Sequence, residues 1–186
     1  MTEVKGGGVL LYVKEKFNAS EVNLQNQFPE QVWCRIKTND NREVLVVVCC
    51  RIPSENVYGN GIHENIRELV WEISCKNFVL FGGFNYRGID WTHNCCDGTA
   101  SVDSRLFLDC FNDCFVTQHV DFLTTDKSIL DLIFSKEPDS VCNVQELGSF
   151  GSSDHKLLVC NLDIMDNRVK ESKIRFDYNR MDVERD

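Results

Sequence analysis

The sequence has no C-x-x-C pair, no apolar run of membrane-spanning length, no excess of basic charge and no internal repeat. Each absence narrows the reading. The ten cysteines, at 34, 49, 50, 75, 95, 96, 110, 114, 142 and 160, invite a zinc-site interpretation. Zinc sites want closely paired ligands, which are missing. Several of the cysteines sit inside apolar runs (Cys49, Cys50, Cys160) or at helical spacing (Cys110, Cys114). They read as reduced thiols acting as small hydrophobes. No leader-type segment opens the sequence and no stretch is long enough to span a bilayer, so the expected compartment is intracellular, without a membrane partner. The sequon Asn18-Ala19-Ser20 then carries little meaning. A formal net charge of −9 is the wrong sign for gripping nucleic acid through a general basic surface, so any DNA contact must come from a local patch.

What is present is ordinary for a globular chain. At 186 residues, 42% hydrophobic and 26% charged, it is one domain's worth of sequence with enough apolar content for a core. Val9 to Val13 reads as a strand directly after Gly6-Gly7-Gly8. Gln31 to Lys37 alternates apolar and polar, Asn39-Asp40-Asn41 signals a turn, and Val44 to Cys50 is a fully apolar strand, together a hairpin. Arg51-Ile52-Pro53-Ser54 begins a loop, and Glu64 to Cys75 places Ile66, Leu69, Val70 and Ile73 at helical spacing. Asn77 to Phe81 reads as a strand buried on both faces, broken by Gly82 and Gly83. Asp90 to Thr99 is loop. Ser101 is the expected cap of a helix running to about Cys114, with Leu106, Leu108, Cys110 and Phe111 as its apolar positions. Phe115 to Val120, Ser128 to Ser135, Val141 to Leu147 and Lys156 to Ile164 follow as strands, the first short and the third weak. The expected domain is 1–165, and the charge-dense 166–186 reads as a linker or tail. Hairpins mixed with strand-helix-strand units suggest two mixed sheets packed face to face with helices outside.

Three strand ends carry the chemistry candidates. An apolar strand that stops at glycines and then presents an amide, Asn85, aims a side chain at a crevice where strands end. Asp131 and the pair Asp154-His155 stand at the ends of two further apolar stretches, and the four are expected to converge. A histidine exchanges protons near neutral pH and needs a partner to fix its tautomer; Asp131 would serve. Asp154 is a candidate ligand for a hard cation such as Mg²⁺. Arg51, Arg87 and Lys127, in loops that would border this site, are candidate phosphate contacts. His63, His93 and His119 share no metal spacing and are expected to play local structural parts, and Trp91 reads as a packing anchor.

The ordered set GGGVLLYV (6–13), VVVCCRIPS (46–54), VLFGGFNYRGIDW (79–91), SILDLIFS (128–135) and GSSDHKLLV (151–159) resembles the endonuclease/exonuclease/phosphatase family. More narrowly, it resembles the apurinic-type endonuclease domain of non-LTR, LINE-type retrotransposons, across nearly the whole chain. The resemblance implies a four-layered α/β sandwich of two mixed β-sheets flanked by helices, with the active site between the sheet edges. It implies a Mg²⁺-dependent nick in DNA that primes reverse transcription, nuclear action, and a downstream reverse transcriptase in the same polyprotein. Carried over by residue, His155 would act at the scissile phosphate, Asp131 would orient it, Asp154 would sit on the metal side, and Asn85 would contact phosphate or the attacking water. Metal and histidine would together offset charge developing on the phosphate.

The departures from the family pattern bear on activity. Where the family has an aspartate that prepares the water, this chain has Gly83, and the tyrosine before the arginine-proline stretch is Cys50. A missing general base typically costs about 100- to 10,000-fold. The family's opening strands, with an asparagine and a metal-binding glutamate, have no counterpart before GGGV, so the domain is expected to be N-terminally truncated and degenerate, inactive or nearly so. Two other readings remain open: a phosphatase or phosphodiesterase of the same superfamily, which would act on nucleotide or phosphoinositide substrates but not DNA, and a non-catalytic module that binds nucleic acid or protein in the old cleft or at an exposed sheet edge.

Overall fold

The structure, a computed structural model, describes residues 8–23, 30–37, 42–52, 61–149 and 151–163. The expected turn at 39–41, the Pro53-Ser54 loop start, Ile164 and the tail from 166 lie outside the described residues.

A six-stranded mixed sheet forms the centre, in the order β1-β2-β3-β4-β8-β7. Its strands are β1 (Asn18–Glu21), β2 (Gln31–Lys37), β3 (Glu43–Cys50), β4 (Phe78–Gly83), β7 (Thr117–Gln118) and β8 (Asp131–Ser135). β2 and β3 pair antiparallel as the expected hairpin. Helix α1 (Ile62–Ser74) then carries the chain to β4, which lies parallel to β3. A short ribbon, β5 (Ile89–Asp90) with β6 (Cys95–Cys96), precedes helix α2 (Val102–Asp113). The Asp90 to Thr99 stretch is therefore not all loop. A second, antiparallel sheet is made by β9 (Val141–Ser149) and β10 (Lys156–Leu162).

The period of two along each strand sorts the core into layers. Phe78 and Leu80 of β4, Leu45, Val47 and Cys49 of β3, and Leu132 and Phe134 of β8 pack in one cluster with the apolar stripes of α1 and α2. Ile66, Leu69, Val70 and Ile73 form the α1 stripe, each at most 4% exposed. The alternate residues Val79 and Ile133 face the other way, where Val144, Leu158, Cys160 and Leu162 of the β9–β10 hairpin cover them. Helices, central sheet and second sheet stack in that order, which is the expected α/β sandwich. One part of its core is aromatic, with Phe84, Phe107, Phe111 and Phe134 in mutual ring contact and Trp91 against Phe107 and Phe134. Burying one such ring is worth roughly 1.5–3 kcal/mol relative to leaving it in water.

Four expectations are corrected. Val9 to Val13 pairs with no strand among the described residues; its alternation is real, but it lays Leu11 and Val13 over Cys34, Ile36 and Val46. Gly82 and Gly83 do not break β4 but continue it, opposite Cys49 and Cys50 on one side and Leu132 and Asp131 on the other. A Cβ on Gly82 would lie 2.0 Å from the Cys49 carbonyl oxygen, so glycine is what lets the two backbones approach. On α2, Leu106 faces solvent at 43% exposure and Phe107 takes the buried position. The Ser128 stretch enters the sheet only at Asp131.

Candidate functional site

The same alternation that builds the core gathers the candidate side chains. Gly83 shares a face with Val79, Asp131 with Ile133, and Cys50 with Val46, so all three sit on the face toward the β9–β10 hairpin, at one end of the sheet. His155 immediately precedes β10 and arrives at that end from the second sheet. Its Nδ1–H donates to Asp131 Oδ2 at 2.7 Å, with the imidazole 40% and the carboxylate 23% exposed. The bond fixes the tautomer and leaves Nε2 for an incoming group. His155 is further held by its backbone N–H, which donates to Ser153 Oγ at 3.1 Å.

Thr124 sets the distance between these two elements. Fully buried, it accepts on Oγ1 from the backbone N–H of Leu130 (2.9 Å) and of Asp131 (3.0 Å), fixing the start of β8. Its carbonyl accepts from Lys156 N at 3.0 Å, fixing the start of β10. One residue thus pins the backbones that carry Asp131 and His155. Nothing in the Leu-Thr-Thr-Asp run distinguishes it from Thr125 by sequence.

Asn85 is placed by the end of β4. Gly83 O accepts from Arg51 N, and Phe84 N donates to Leu130 O, each at 2.8 Å, so the strand end is clamped from both neighbours. The chain then turns through Asn85 at φ +55°, a left-handed conformation that asparagine tolerates better than most residues. The asparagine's Nδ2–H donates to Arg51 O at 2.7 Å, leaving the amide oxygen and a second N–H for a ligand.

Arg51 corrects its expectation. Expected in a bordering loop as a phosphate contact, it is a buried cation, 8% exposed. Its Nε donates to Phe84 O at 2.6 Å, its Nη2 donates to Asn85 O at 2.5 Å, and its guanidinium lies 4.3 Å from the Tyr86 ring centroid. Arg87 and Lys127 are exposed; Lys127 borders a hollow of about 360 Å³ walled by Trp91, Phe122, Asp90 and Asp121. Asp154 is exposed beside His155. The other histidines have local partners: His63 with Tyr86, His93 with Asp90, and His119 with Ser135.

The centre of the site has no nucleophile or base where the side chain of residue 83 would project. An ideal Cβ on Gly83 would meet Asp131 Oδ1 at 3.2 Å, and Asn85 Nδ2 and Cys50 Sγ at 4.0 Å. Burial, aided by the nearby Glu30 and Asp131 charges, pushes the Cys50 thiol upward, so it stays neutral and weakly nucleophilic. The residues present do not fit a resident Mg²⁺. Among the described residues no three His, Cys, Asp or Glu side chains cluster to hold a metal, and Asp154 stands alone. A hard divalent cation wants more oxygen donors than one carboxylate.

No protein-family model and no curated protein matches this sequence. Solved structures do. The endonuclease domain of TRAS1, a telomere-specific non-LTR retrotransposon, superimposes with a TM-score of 0.61 at 16% identity, over 82% of this chain and 72% of that one. The human Nocturnin catalytic domain gives 0.46 at 15% identity, over 77% of this chain and 57% of that one. An endonuclease/exonuclease/phosphatase family protein from Leptotrichia buccalis C-1013-b gives 0.44 at 17% identity, over 72% and 53%. This chain spans little more than half the length of the latter two. At such identities the likeness is one of fold: the chain is folded like the endonuclease domain of a non-LTR retrotransposon.

Proposed function

We propose that this chain is a retrotransposon-derived DNA endonuclease domain in a catalytically weakened form, acting on the phosphodiester backbone. One observation supports the reading above the others: the 2.7 Å bond from His155 to Asp131, formed by side chains that two separate sheets bring together at one end of the central sheet. In the proposed reaction water attacks phosphorus, the P–O bond to the leaving oxygen breaks, and that oxygen takes a proton. His155, held through Nδ1, presents Nε2 to the phosphate, and as imidazolium it offsets the charge that develops there, with Asp131 stabilising the cation. Asn85 offers its remaining amide groups to the phosphate or the water. Gly83 has no group to align that water, which lowers the rate by about 100- to 10,000-fold. Mg²⁺ is the expected family ion; with Asp154 as its lone candidate protein ligand, it would arrive chiefly on the substrate phosphates, and no step is drawn through it. DNA is the proposed partner, followed by a reverse transcriptase domain, in the nucleus.

The test is incubation of the purified chain with supercoiled plasmid and Mg²⁺, beside a His155→Ala control and an EDTA control. Slow open-circle formation that both controls abolish supports the reading. Equal nicking by the His155→Ala chain sinks it.

That no three potential metal ligands cluster among the described residues favours one second reading, a module that binds DNA at this site without cutting it. Salt-sensitive binding of a DNA duplex with no nicking by a folded chain would establish that reading instead.

A further inference from the structure

Behind Asn85, on the helix side of the sheet, lies a chain of polar contacts that neither the dyad nor the cleft uses. Asn85 and Arg51 hold each other reciprocally: Arg51 Nη2 donates to Asn85 O, and Asn85 Nδ2 donates to Arg51 O. The guanidinium rests on the Tyr86 ring, which is itself stacked on Phe107 at 4.1 Å between centroids. The Tyr86 hydroxyl, in a residue 5% exposed, lies in a hydrogen bond with His63 Nδ1 at 2.8 Å. His63 Nε2 then lies 3.4 Å from Asp103 Oδ2, a carboxylate 41% exposed at the first turn of α2. The chain runs from solvent to the cleft without a gap.

We propose that Asp103, His63 and Tyr86 are positioning residues that act through Arg51 to set the placement of Asn85, with the protonation state of His63 as the variable. The geometry fixes the resting state. Asp103 on the Nε2 side favours the Nε2–H tautomer, which leaves Nδ1 to accept from Tyr86 and orients that ring under the guanidinium. When His63 takes a second proton, Nδ1–H must donate to the Tyr86 oxygen. The tyrosine O–H then loses its acceptor, and a second cation appears near a buried arginine. Both changes loosen the grip of Arg51 on the Phe84 and Asn85 carbonyls.

The charged groups around His63 agree on the resting state. Burial is the largest influence and lowers its affinity for a proton; Arg51 and Arg67 push the same way, while Asp103 and Glu64 oppose them. His63 is therefore neutral at pH 7 and takes its proton below the ordinary histidine range. Tyr86 does not compete, because burial raises its phenol and keeps the hydroxyl protonated.

The significance of Asn85 for catalysis rests on the proposed function; the relay does not, and its test needs no DNA. The readouts are the side-chain amide resonance of Asn85 and the ring resonances of His63 and His155 in the ¹⁵N-labelled full chain, followed by NMR from pH 8 to pH 5. The Asn85 amide is expected to move with the midpoint of His63 and not that of His155. Tyr86→Phe keeps the ring and its stacking but removes the hydroxyl, and is expected to abolish the shared midpoint while His63 still titrates. Asp103→Asn, an exposed change that leaves the core intact, is expected to lower both midpoints together by roughly half a unit. An Asn85 amide that ignores His63, or one that still follows it in Tyr86→Phe, overturns the proposal. Absence of nicking with the shared midpoint intact would count against the proposed function alone.

Discussion

Gly83 and Asp131 stand opposite each other in the β4–β8 ladder, and a Cβ on the glycine would lie 3.2 Å from the aspartate's Oδ1. A carboxylate at position 83 would therefore share a small space with the carboxylate that orients His155. Like charges this close disfavour each other's ionisation, and they compete for the same imidazole N–H. Gly83→Asp alone is accordingly expected not to raise the nicking rate, even though it restores the residue type of the family motif. Plasmid assays of the two chains side by side decide this, and a tenfold or greater gain would refute it.

Asp131→Asn tests the dyad separately from the fold. The amide can no longer accept without ambiguity from Nδ1–H, so the imidazole loses its fixed tautomer while the side-chain volume is kept. Nicking is expected to fall by about 100- to 10,000-fold, close to the loss in His155→Ala. The double variant should be little worse than either single one, because the two residues act as one unit. Additive losses would show that Asp131 works independently of His155.

Thr124 is the residue whose loss should damage stability and site together. Replacing it by valine keeps the shape but removes the acceptor for two backbone N–H groups, those of Leu130 and Asp131, in a residue with no exposed surface. Each unsatisfied buried donor costs about 1–3 kcal/mol. Thr124→Val should lower stability to chemical denaturation by about 2 kcal/mol or more, whereas Thr124→Ser, which keeps the oxygen, should cost less than half as much. Equal losses in the two variants would mean that the methyl counts for as much as the hydroxyl, so the two backbone bonds are not the main part of the effect.

How much of this was legible depends on the range over which each feature is decided. The β2–β3 hairpin, α1 and the Ser101 cap were readable because residues close in sequence fix them; Ser101 Oγ does accept from Ser104 N at 3.0 Å. Gly82 and Gly83 read as a break because glycine ends strands locally. Only the approach of the Cys49 carbonyl, 33 residues earlier in sequence, shows why β4 needs a glycine there. The meeting of Asp131 with His155 was foreseeable from apolar runs that end in polar residues. The burial of Arg51 was not, since a cation two residues before a proline reads as the start of a loop, and its partners are backbone carbonyls that no side-chain pattern reveals. Val9 to Val13 shows the opposite error: alternation reports which residues face the core, but not whether a neighbouring strand exists to pair with.

The acid side of the stability profile follows from two histidines, one buried and one half-buried. His63 and His119 are both held below the ordinary histidine range, in each case first by burial. His119 donates from Nε2 to Ser135 Oγ at 2.7 Å, and the loss of water around its ring is what holds its value down. With folded values below the unfolded value of about 6.5, the unfolded chain takes up protons first as pH falls. The stability these residues contribute is thus complete above about pH 6.5 and is lost between there and their folded values. Asp90 and Asp97, held low by local hydrogen bonds, act in the same direction, but only below the usual carboxylate range. Thermal melting is therefore expected to be flat from pH 8 to pH 7 and to decline from pH 6.5 to pH 5, before the carboxylates begin to titrate. His119→Gln should reduce that decline without touching the dyad. A melting temperature that rises on acidification, or an unchanged decline in the variant, would show that these histidines are not buried neutral.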